Sequence, residues 1–213
     1  MILPTRIEAG RRLAQALKRQ ARRDAVVYAI SPGGVRVAHE VALGLGVPLD
    51  IIGSLTLRVP GRKHLVIGAI APGSILLDEA AVEAAGLPEP YVRTLVRLAR
   101  HEMEDRERAL RGRLRAVSCA GRLAVLVDDG MAGLFETAAA LQSLRQAGAT
   151  RIVFAAPCCT EDVREAIERE ADDVVLLGAG DRRSHQVCDD RFSQTTAPEV
   201  QAMLREARET VPA

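Results

Sequence analysis

The sequence has few aromatic residues, few cysteines and no long apolar run, and each absence narrows the kinds of protein it can encode. Only 2% of its 213 residues are Phe, Trp or Tyr, and Trp is missing altogether. Because 48% of the residues are nevertheless hydrophobic, Ala, Val, Leu and Ile must fill the core, which favours layers of sheet and helix. The length fits one domain over residues 1–213, since single cores stop growing at roughly 250 residues.

No stretch approaches the ~20 apolar residues of a membrane-spanning helix, and the amino terminus lacks a secretory apolar core. A formal net charge of +1 gives no field that would attract nucleic acid or an acidic membrane surface. We therefore expect a cytoplasmic protein that binds neither nucleic acid nor membranes. Its cysteines should then stay reduced, and the spacing of the four matches no disulfide or zinc pattern: Cys119, Cys158, Cys159 and Cys188.

Short apolar runs alternate with amphipathic segments along the chain. The runs lack polar alternation, as strands of a parallel sheet covered on both faces do; they lie at 26–30, 49–52, 123–127, 151–156 and 173–177. Apolar residues at helical spacing mark segments at 6–23, 35–45, 91–114, 162–170 and 198–208. The alternation predicts an α/β fold with a parallel sheet, and residues 49–77 form a β-rich excursion from it.

The segment after the run at 123–127 carries the most suggestive chemistry. Asp128 and Asp129 follow the run directly. Gly130 and Gly133 give the backbone conformational freedom, and a helical stretch begins near Thr137. In open α/β sheets, ligands gather at the carboxyl ends of strands, and a helix amino terminus offers N–H groups to an anion. The segment therefore suits a ribose flanked by phosphate, with carboxylates for hydroxyls or a cation and amides for phosphate oxygens.

Two other segments are weaker candidates for anion binding. The stretch 31–34, Ser-Pro-Gly-Gly, follows the first strand and is predicted to be a loop. Such a loop is more often a plain turn, although glycines also let amides approach an anion. A compact basic cluster near a turn is either a solvated loop or a phosphate contact, and consists of Arg58, Arg62, Lys63 and His64.

Taken together, several stretches resemble the type I phosphoribosyltransferase family, particularly its small bacterial members. Their order and spacing match over nearly the whole chain: the helix at 6–17, Gly33-Gly34-Val35, Leu49-Asp50, Pro60-Gly61, Ile67-Gly68-Ala69-Ile70, Val127 to Gly130 with Ala132, Phe192-Ser193-Gln194 and Glu199-Val200.

The resemblance implies a Rossmann-like parallel sheet flanked by helices, with a small hood contributed by about residues 49–118. It also implies transfer of a 5-phosphoribosyl group from phosphoribosyl pyrophosphate with Mg²⁺, a small phosphorylated sugar or nucleotide as ligand, and a homodimer. Asp128 and Asp129 would contact the ribose hydroxyls and the metal. Together with the weaker candidates above, the expected substrate-binding residues are Ser31, Gly33, Gly34, Arg58, Gly130, Met131, Ala132, Gly133, Leu134 and Thr137.

Three anion-binding features of the family are missing from this sequence. The family continues the acidic pair as Gly-x-Ala-Thr-Gly-x-Thr, whereas residues 130–136 contain neither threonine and end in Glu136. The arginine that precedes the paired glycines is absent, the family's Arg-Lys pair falls on Leu55-Thr56, and the Glu that follows falls on His64. Each lost charge-assisted hydrogen bond costs ~1.5–3 kcal/mol, so we expect a degenerate phosphate loop with impaired or changed substrate use.

Other interpretations of these residues stay open. Glu136 is either a new catalytic carboxylate or an acidic residue favoured by the dipole of a helix first turn. The chain is either an altered transferase or a non-catalytic nucleotide- or sugar-phosphate-binding or regulatory relative. A thiol or zinc site is a third hypothesis, although vicinal cysteines are more often small buried fillers; its ligands would be Cys158, Cys159, His185 and Cys188.

Overall fold

The computed structural model describes residues 5–20, 24–178 and 195–210. The helices are α1 (Arg6–Leu17), α2 (Ser31–Leu45), α3 (Glu79–Ala84), α4 (Glu89–Arg111), α5 (Leu134–Gln146), α6 (Glu161–Glu170) and α7 (Ala197–Glu209). The strands are β1 (Val26–Ile30), β2 (Leu49–Ile52), β3 (Leu55–Val59), β4 (Arg62–Ala71), β5 (Ser74–Leu77), β6 (Leu123–Val127), β7 (Arg151–Ala156) and β8 (Asp173–Leu176).

Five strands form a parallel sheet in the order β2-β1-β6-β7-β8. Both faces of this sheet are covered, and every residue of β1 and β6 is buried. On one face, a cluster that includes Leu13, Val41 and Leu204 joins the sheet to α1, α2 and α7. On the other face, Leu141 and Ile167 pack beside Phe154. The predicted parallel sheet flanked by helices is confirmed.

The order of the strands reverses direction between β1 and β6. From β1 the chain passes through α2 to β2 on one side, whereas from β6 it passes through α5 and α6 to β7 and β8 on the other. The carboxyl ends of β1 and β6 are therefore neighbours from which the chain leaves in opposite directions. Such a switch point opens a crevice, and ligands of doubly wound sheets bind there.

A second sheet stands beside the first and consists of the antiparallel strands β3, β4 and β5. Its buried side chains, among them Leu57 and Ile67, pack against Val92 and Met103 of α4. Because β2 pairs with β1, residues 49–52 belong to the main sheet and the second sheet begins at Leu55. The boundaries of a hood over 49–118 stay a prediction.

Two helices begin earlier than the sequence pattern indicates. The prediction of a loop at 31–34 is wrong, because α2 starts at Ser31 with a proline in its first turn. Proline suits that position, since its fixed φ matches the helix and no N–H is needed there. Helix α5 starts at Leu134 rather than near Thr137, and the Glu136 carboxylate accepts a hydrogen bond from the Gly133 N–H at its start. Both differences place helix amino termini at the crevice.

Within the described residues, no helix combines the length and the apolar character needed to cross a membrane.

Candidate functional site

A cavity of about 220 Å³ lies at the switch point between β1 and β6. Its walls come from α1, from the end of β1, from the first turn of α2, from the second residue after β2, from the segment between β6 and α5, and from the first turn of α5. The lining residues are Arg6, Ile30, Gly33, Gly34, Ser54, Asp128, Asp129, Met131, Ala132 and Glu136. Three carboxylates and one guanidinium therefore share a space that suits a small polar molecule.

Asp129 forms an ion pair with Arg6, 123 positions away in the sequence. Arg6 donates to Asp129 Oδ2 from Nε at 3.1 Å and from Nη2 at 2.6 Å. The side chains are only 13% and 4% exposed, so solvent screens the pair weakly. The first residue of α1 thereby supplies a positive charge to a cavity built mainly from the central strands.

Asp128 is buried, and its side chain binds the backbone of the loop that follows it. Its Oδ2 accepts hydrogen bonds from Gly130 N at 2.8 Å and from Ala132 N at 3.1 Å. Burial, and secondarily the negative charge of Asp129, raises the pKa of Asp128 to about 7, although the backbone hydrogen bonds from Ala132 and Gly130 act in the opposite direction. The two adjacent carboxyl groups therefore differ in role, since one is ion-paired and the other holds its proton more tightly than usual.

We expect Asp128→Asn to become more stable relative to the wild type as the pH rises from about 4 to about 7. The folded protein keeps the Asp128 proton through most of this interval, whereas an unfolded aspartate loses it near pH ~3.9. The wild type thus loses stability across the interval by up to about 1 kcal/mol per pH unit, and Asn has no proton to lose. Urea unfolding of both proteins at several pH values measures the difference.

Asp172→Asn is the matched control for this measurement. Burial alone would raise the pKa of Asp172. Hydrogen bonds from the Ile152 N–H and from Arg145 nevertheless hold this pKa below its usual value. Its stability difference from the wild type should therefore stay constant between pH 5 and 8. If the stability difference between Asp128→Asn and the wild type also stayed constant with pH, the raised pKa of Asp128 would be contradicted.

The loop between β6 and α5 uses several of its amides internally. Besides the two N–H groups held by Asp128, the Gly133 N–H donates to Glu136 Oε2 at 3.2 Å. Gly130 has a φ of +92°, and a Cβ there would lie 3.0 Å from both the Sγ and the carbonyl oxygen of Cys158. The loop thus turns tightly against the end of β7, and two carboxylates take the place that an anion would otherwise occupy at these amides.

The first turn of α2 lies so close to the end of β6 and to Asp129 that a side chain at either glycine would be crowded. A Cβ at Gly33 would lie 2.5 Å from Asp129 Oδ2 and 3.3 Å from Arg6 Nη2, and one at Gly34 would lie 3.2 Å from the Val127 carbonyl oxygen. The paired glycines therefore make room for the ion pair.

The expected site residues fall into several groups. Those that line the cavity are Gly33, Gly34, Asp128, Asp129, Met131, Ala132 and Glu136. Gly130, Gly133 and Leu134 belong to the same loop and helix start. Thr137 is fully buried, and its hydroxyl has no hydrogen-bond partner among the described residues. Arg58 lines a neighbouring groove that also includes Glu136, and the side chain of Ser31 lies outside what the structure describes.

Sequence reasoning misses Arg6, Ser54 and Ile30 as parts of the cavity. The helical pattern places Arg6 on the solvated side of an outer helix, and nothing local distinguishes it from the other arginines of α1. Ser54 donates a hydrogen bond to the Glu136 carbonyl oxygen at 3.1 Å, and so ties the end of β2 to α5.

A second and more apolar cavity of about 340 Å³ adjoins the first at Ser54. It lies between the end of β2 and α4. Gly53 N donates to Glu107 Oε2 at 3.0 Å across its floor, and a Cβ at Gly53 would come within 2.7 Å of that oxygen. Its lining residues are Pro32, Ile51, Ile52, Gly53, Ser54, Met103, Arg106, Glu107, Ala109 and Leu110.

The cysteines within the described ranges are buried rather than arranged as a metal site. Burial, then the neighbouring Cys158, raises the pKa of Cys159 to about 11, which disfavours the thiolate that binds metal or attacks an electrophile. In residues 5–20, 24–178 and 195–210, no group of three or more His, Cys, Asp or Glu side chains is placed to hold a metal ion. His185 and Cys188 lie outside these ranges.

Comparison with known proteins indicates the family. Two proteins from strains of Mycobacterium tuberculosis, each named "putative phosphoribosyl transferase", are 36% identical to this chain over 211 residues. The crystal structure of TT1426 from Thermus thermophilus is 30% identical, covers 97% of this chain and 99% of its own, and superimposes with a TM-score of 0.79. The chain belongs to the phosphoribosyltransferase family.

The chain is similar to only part of each mycobacterial relative. The match covers 94% of this chain but 46% of each mycobacterial relative, so the chain spans about half of their length. No protein-family model matches the sequence. The structure of AQ2163 from Aquifex aeolicus, 10% identical with a TM-score of 0.51 over 82% of this chain and 74% of its own, shares the fold alone.

Proposed function

We propose that this member of the family binds a small phosphorylated sugar or nucleotide in the cavity at the switch point and transfers 5-phosphoribosyl groups weakly or with altered substrates. The observation that carries the proposal is the buried pair Asp128 and Asp129, which follows β6 and faces the crevice. Two adjacent carboxylates can accept hydrogen bonds from the vicinal hydroxyls of a ribose ring. The amino terminus of α5 lies beside them, where the dipole favours a phosphate group.

The expected weakness of transfer has a physical source in the loop. Glu136 stands where the family has a phosphate-binding threonine, and its carboxylate lines the cavity. A carboxylate near a phosphate adds repulsion even at a screened dielectric constant. The amides of residues 130, 132 and 133 already donate to Asp128 and Glu136, so an incoming phosphate would compete with them.

The same observation favours a second candidate function, that of a non-catalytic nucleotide- or sugar-phosphate-binding protein with a regulatory role. The acidic pair can bind ribose hydroxyls even if the phosphate is held weakly. Catalysis, in contrast, requires that the phosphate and the leaving group be held in the right orientation. A homodimer belongs to both proposals as an expectation from family resemblance, and light scattering of the purified chain measures it.

A thermal-shift measurement tests the proposal. Ribose 5-phosphate, phosphoribosyl pyrophosphate and nucleotides are each added with and without Mg²⁺. A ligand present at 100 times its Kd stabilises the folded state by ~2.7 kcal/mol, which raises the Tm of a chain of this size by roughly 5–10 °C. We expect such a rise for at least one of these ligands, and its loss in the double variant Asp128→Asn, Asp129→Asn.

Asp105→Asn is the control, because Asp105 pairs with Arg108 on the exposed surface of α4 and should leave the shift intact. No shift with any ligand, or a full shift in the double variant, would contradict the proposed site. Release of pyrophosphate from phosphoribosyl pyrophosphate in the presence of a panel of nucleobases then separates the two candidates. Release identifies a transferase, and binding without release favours the regulatory alternative.

A further inference from the structure

Among the residues the structure describes, Arg6 is the one cationic side chain that lines the 220 Å³ cavity at the switch point. Its Nε and Nη2 both donate to the same oxygen of Asp129. A divalent cation that bound Asp129 through this oxygen would have to compete with the guanidinium for it. Displacement would separate a positive charge that is only 13% exposed from the carboxylate that pairs with it, which is unfavourable in a weakly screened environment.

The other carboxylates of the cavity are also engaged by the chain itself. Asp128 Oδ2 accepts from two backbone N–H groups, and Glu136 Oε2 accepts from a third. Mg²⁺ demands near-ideal octahedral geometry, which oxygens already fixed by hydrogen bonds are poorly placed to supply. The donors at this cavity therefore fit a resident guanidinium better than a magnesium ion held by the protein.

The position of Gly33 independently supports the conclusion that the Arg6–Asp129 ion pair is held in place by its surroundings. A Cβ at this position would come within 2.5 Å of Asp129 Oδ2 and within 3.3 Å of Arg6 Nη2. The helix turn thus approaches the ion pair as closely as a backbone without a side chain allows. Since the planar fork of an arginine is rigid and matches the geometry of a carboxylate, the pairing with Asp129 fixes the positive charge in the cavity wall before any anionic group binds.

From this geometry we infer that Arg6 takes the place of a divalent cation at Asp129, so that the site binds its phosphorylated sugar without a metal ion. The inference rests on the proposed function, since it concerns the same cavity and ligand class. It makes Arg6 a residue that determines how the ligand's charge is balanced. Ribose 5-phosphate carries one phosphate group and no pyrophosphate that could itself hold a metal ion, so it is the appropriate probe.

Isothermal titration of the wild type with ribose 5-phosphate, once in EDTA and once in excess MgCl₂, tests the inference. We expect the two Kd values to agree within about twofold. Binding that requires Mg²⁺ would overturn the inference and leave the proposed function standing. Absence of binding under both conditions would overturn both. This comparison needs no variant and does not depend on the folding of one.

Variants of Arg6 supply the second test. Arg6→Gln should weaken binding in EDTA by about tenfold or more, because a charge-assisted contact is lost, and addition of MgCl₂ should restore part of it. Arg6→Lys keeps the positive charge but lacks the planar guanidinium, so its affinity in EDTA should lie between those of the wild type and Arg6→Gln. Arg11→Gln is the control, because Arg11 lies on the same helix, 65% exposed, and pairs with Glu40 on the surface. Unchanged binding by Arg6→Gln would overturn the inference.

Discussion

Replacing Asp50 with alanine is expected to lower the free energy of unfolding by about 3–5 kcal/mol. The Asp50 side chain is only 1% exposed and lies within ion-pair distance of two arginines, Arg111 of α4 at 3.0 Å and Arg208 of α7 at 3.3 Å. It also accepts from the backbone N–H of Ile51 and of Val117. Alanine would leave two arginines and two backbone N–H groups without their shared acceptor, which is a large cost in a weakly solvated location.

Thermal unfolding checks this prediction, since 3–5 kcal/mol corresponds to a fall in Tm of roughly 6–20 °C for a chain of this length. Glu168→Ala is the matched control, because Glu168 pairs with Arg164 on the exposed face of α6 and such pairs contribute at most about 1 kcal/mol. Equal losses in the two variants would show that Asp50 does not organise this region. Arg111 also pairs with Glu107, which lines the apolar cavity, so the same variant should disturb that cavity.

Replacing Glu136 with threonine is expected to strengthen the binding of ribose 5-phosphate by about tenfold to a hundredfold, because one charge-assisted contact is worth ~1.5–3 kcal/mol. The change removes a carboxylate from the cavity wall and supplies the hydroxyl that the family resemblance predicts at this position. It also frees the Gly133 N–H, which now donates to Glu136, for the phosphate. Calorimetric titration measures the gain directly.

Two further variants identify the source of such a gain. Glu136→Gln removes the charge but can still accept from Gly133, so it should give only the part of the gain that arises from lost repulsion. Glu161→Gln changes a first-turn acid of α6 outside the cavity and should leave affinity unchanged. Weaker binding by Glu136→Thr would instead indicate that Glu136 contacts the ligand or that the start of α5 depends on it. The loss of its cap alone should cost about 0.5–2 kcal/mol of stability.

The main sheet and the acidic pair could be predicted from sequence because both depend on local patterns. Unbroken apolar runs identify β1 and β6, and the position of Asp128 and Asp129 directly after β6 places them at the crevice. The first turn of α2 could not be predicted in the same way, since Pro-Gly-Gly is typical of loops, whereas here it forms a helix start that packs closely against the ends of the central strands. Arg6 could not be found at all, because a contact across 123 positions leaves no trace in the spacing of one sequence.

The pairing of β1 with β6 has a consequence for how the molecule folds. Val26 pairs with Ala124, so the whole second sheet and α4 lie within the loop that this pairing closes, and contacts between such distant segments slow folding. The cavity needs this pairing and also the arrival of Arg6, which is more distant still in sequence. Its complete form can therefore exist only after both of these long-range contacts are made, and a ligand that binds there would report on chains that have formed them rather than on intermediates that lack them.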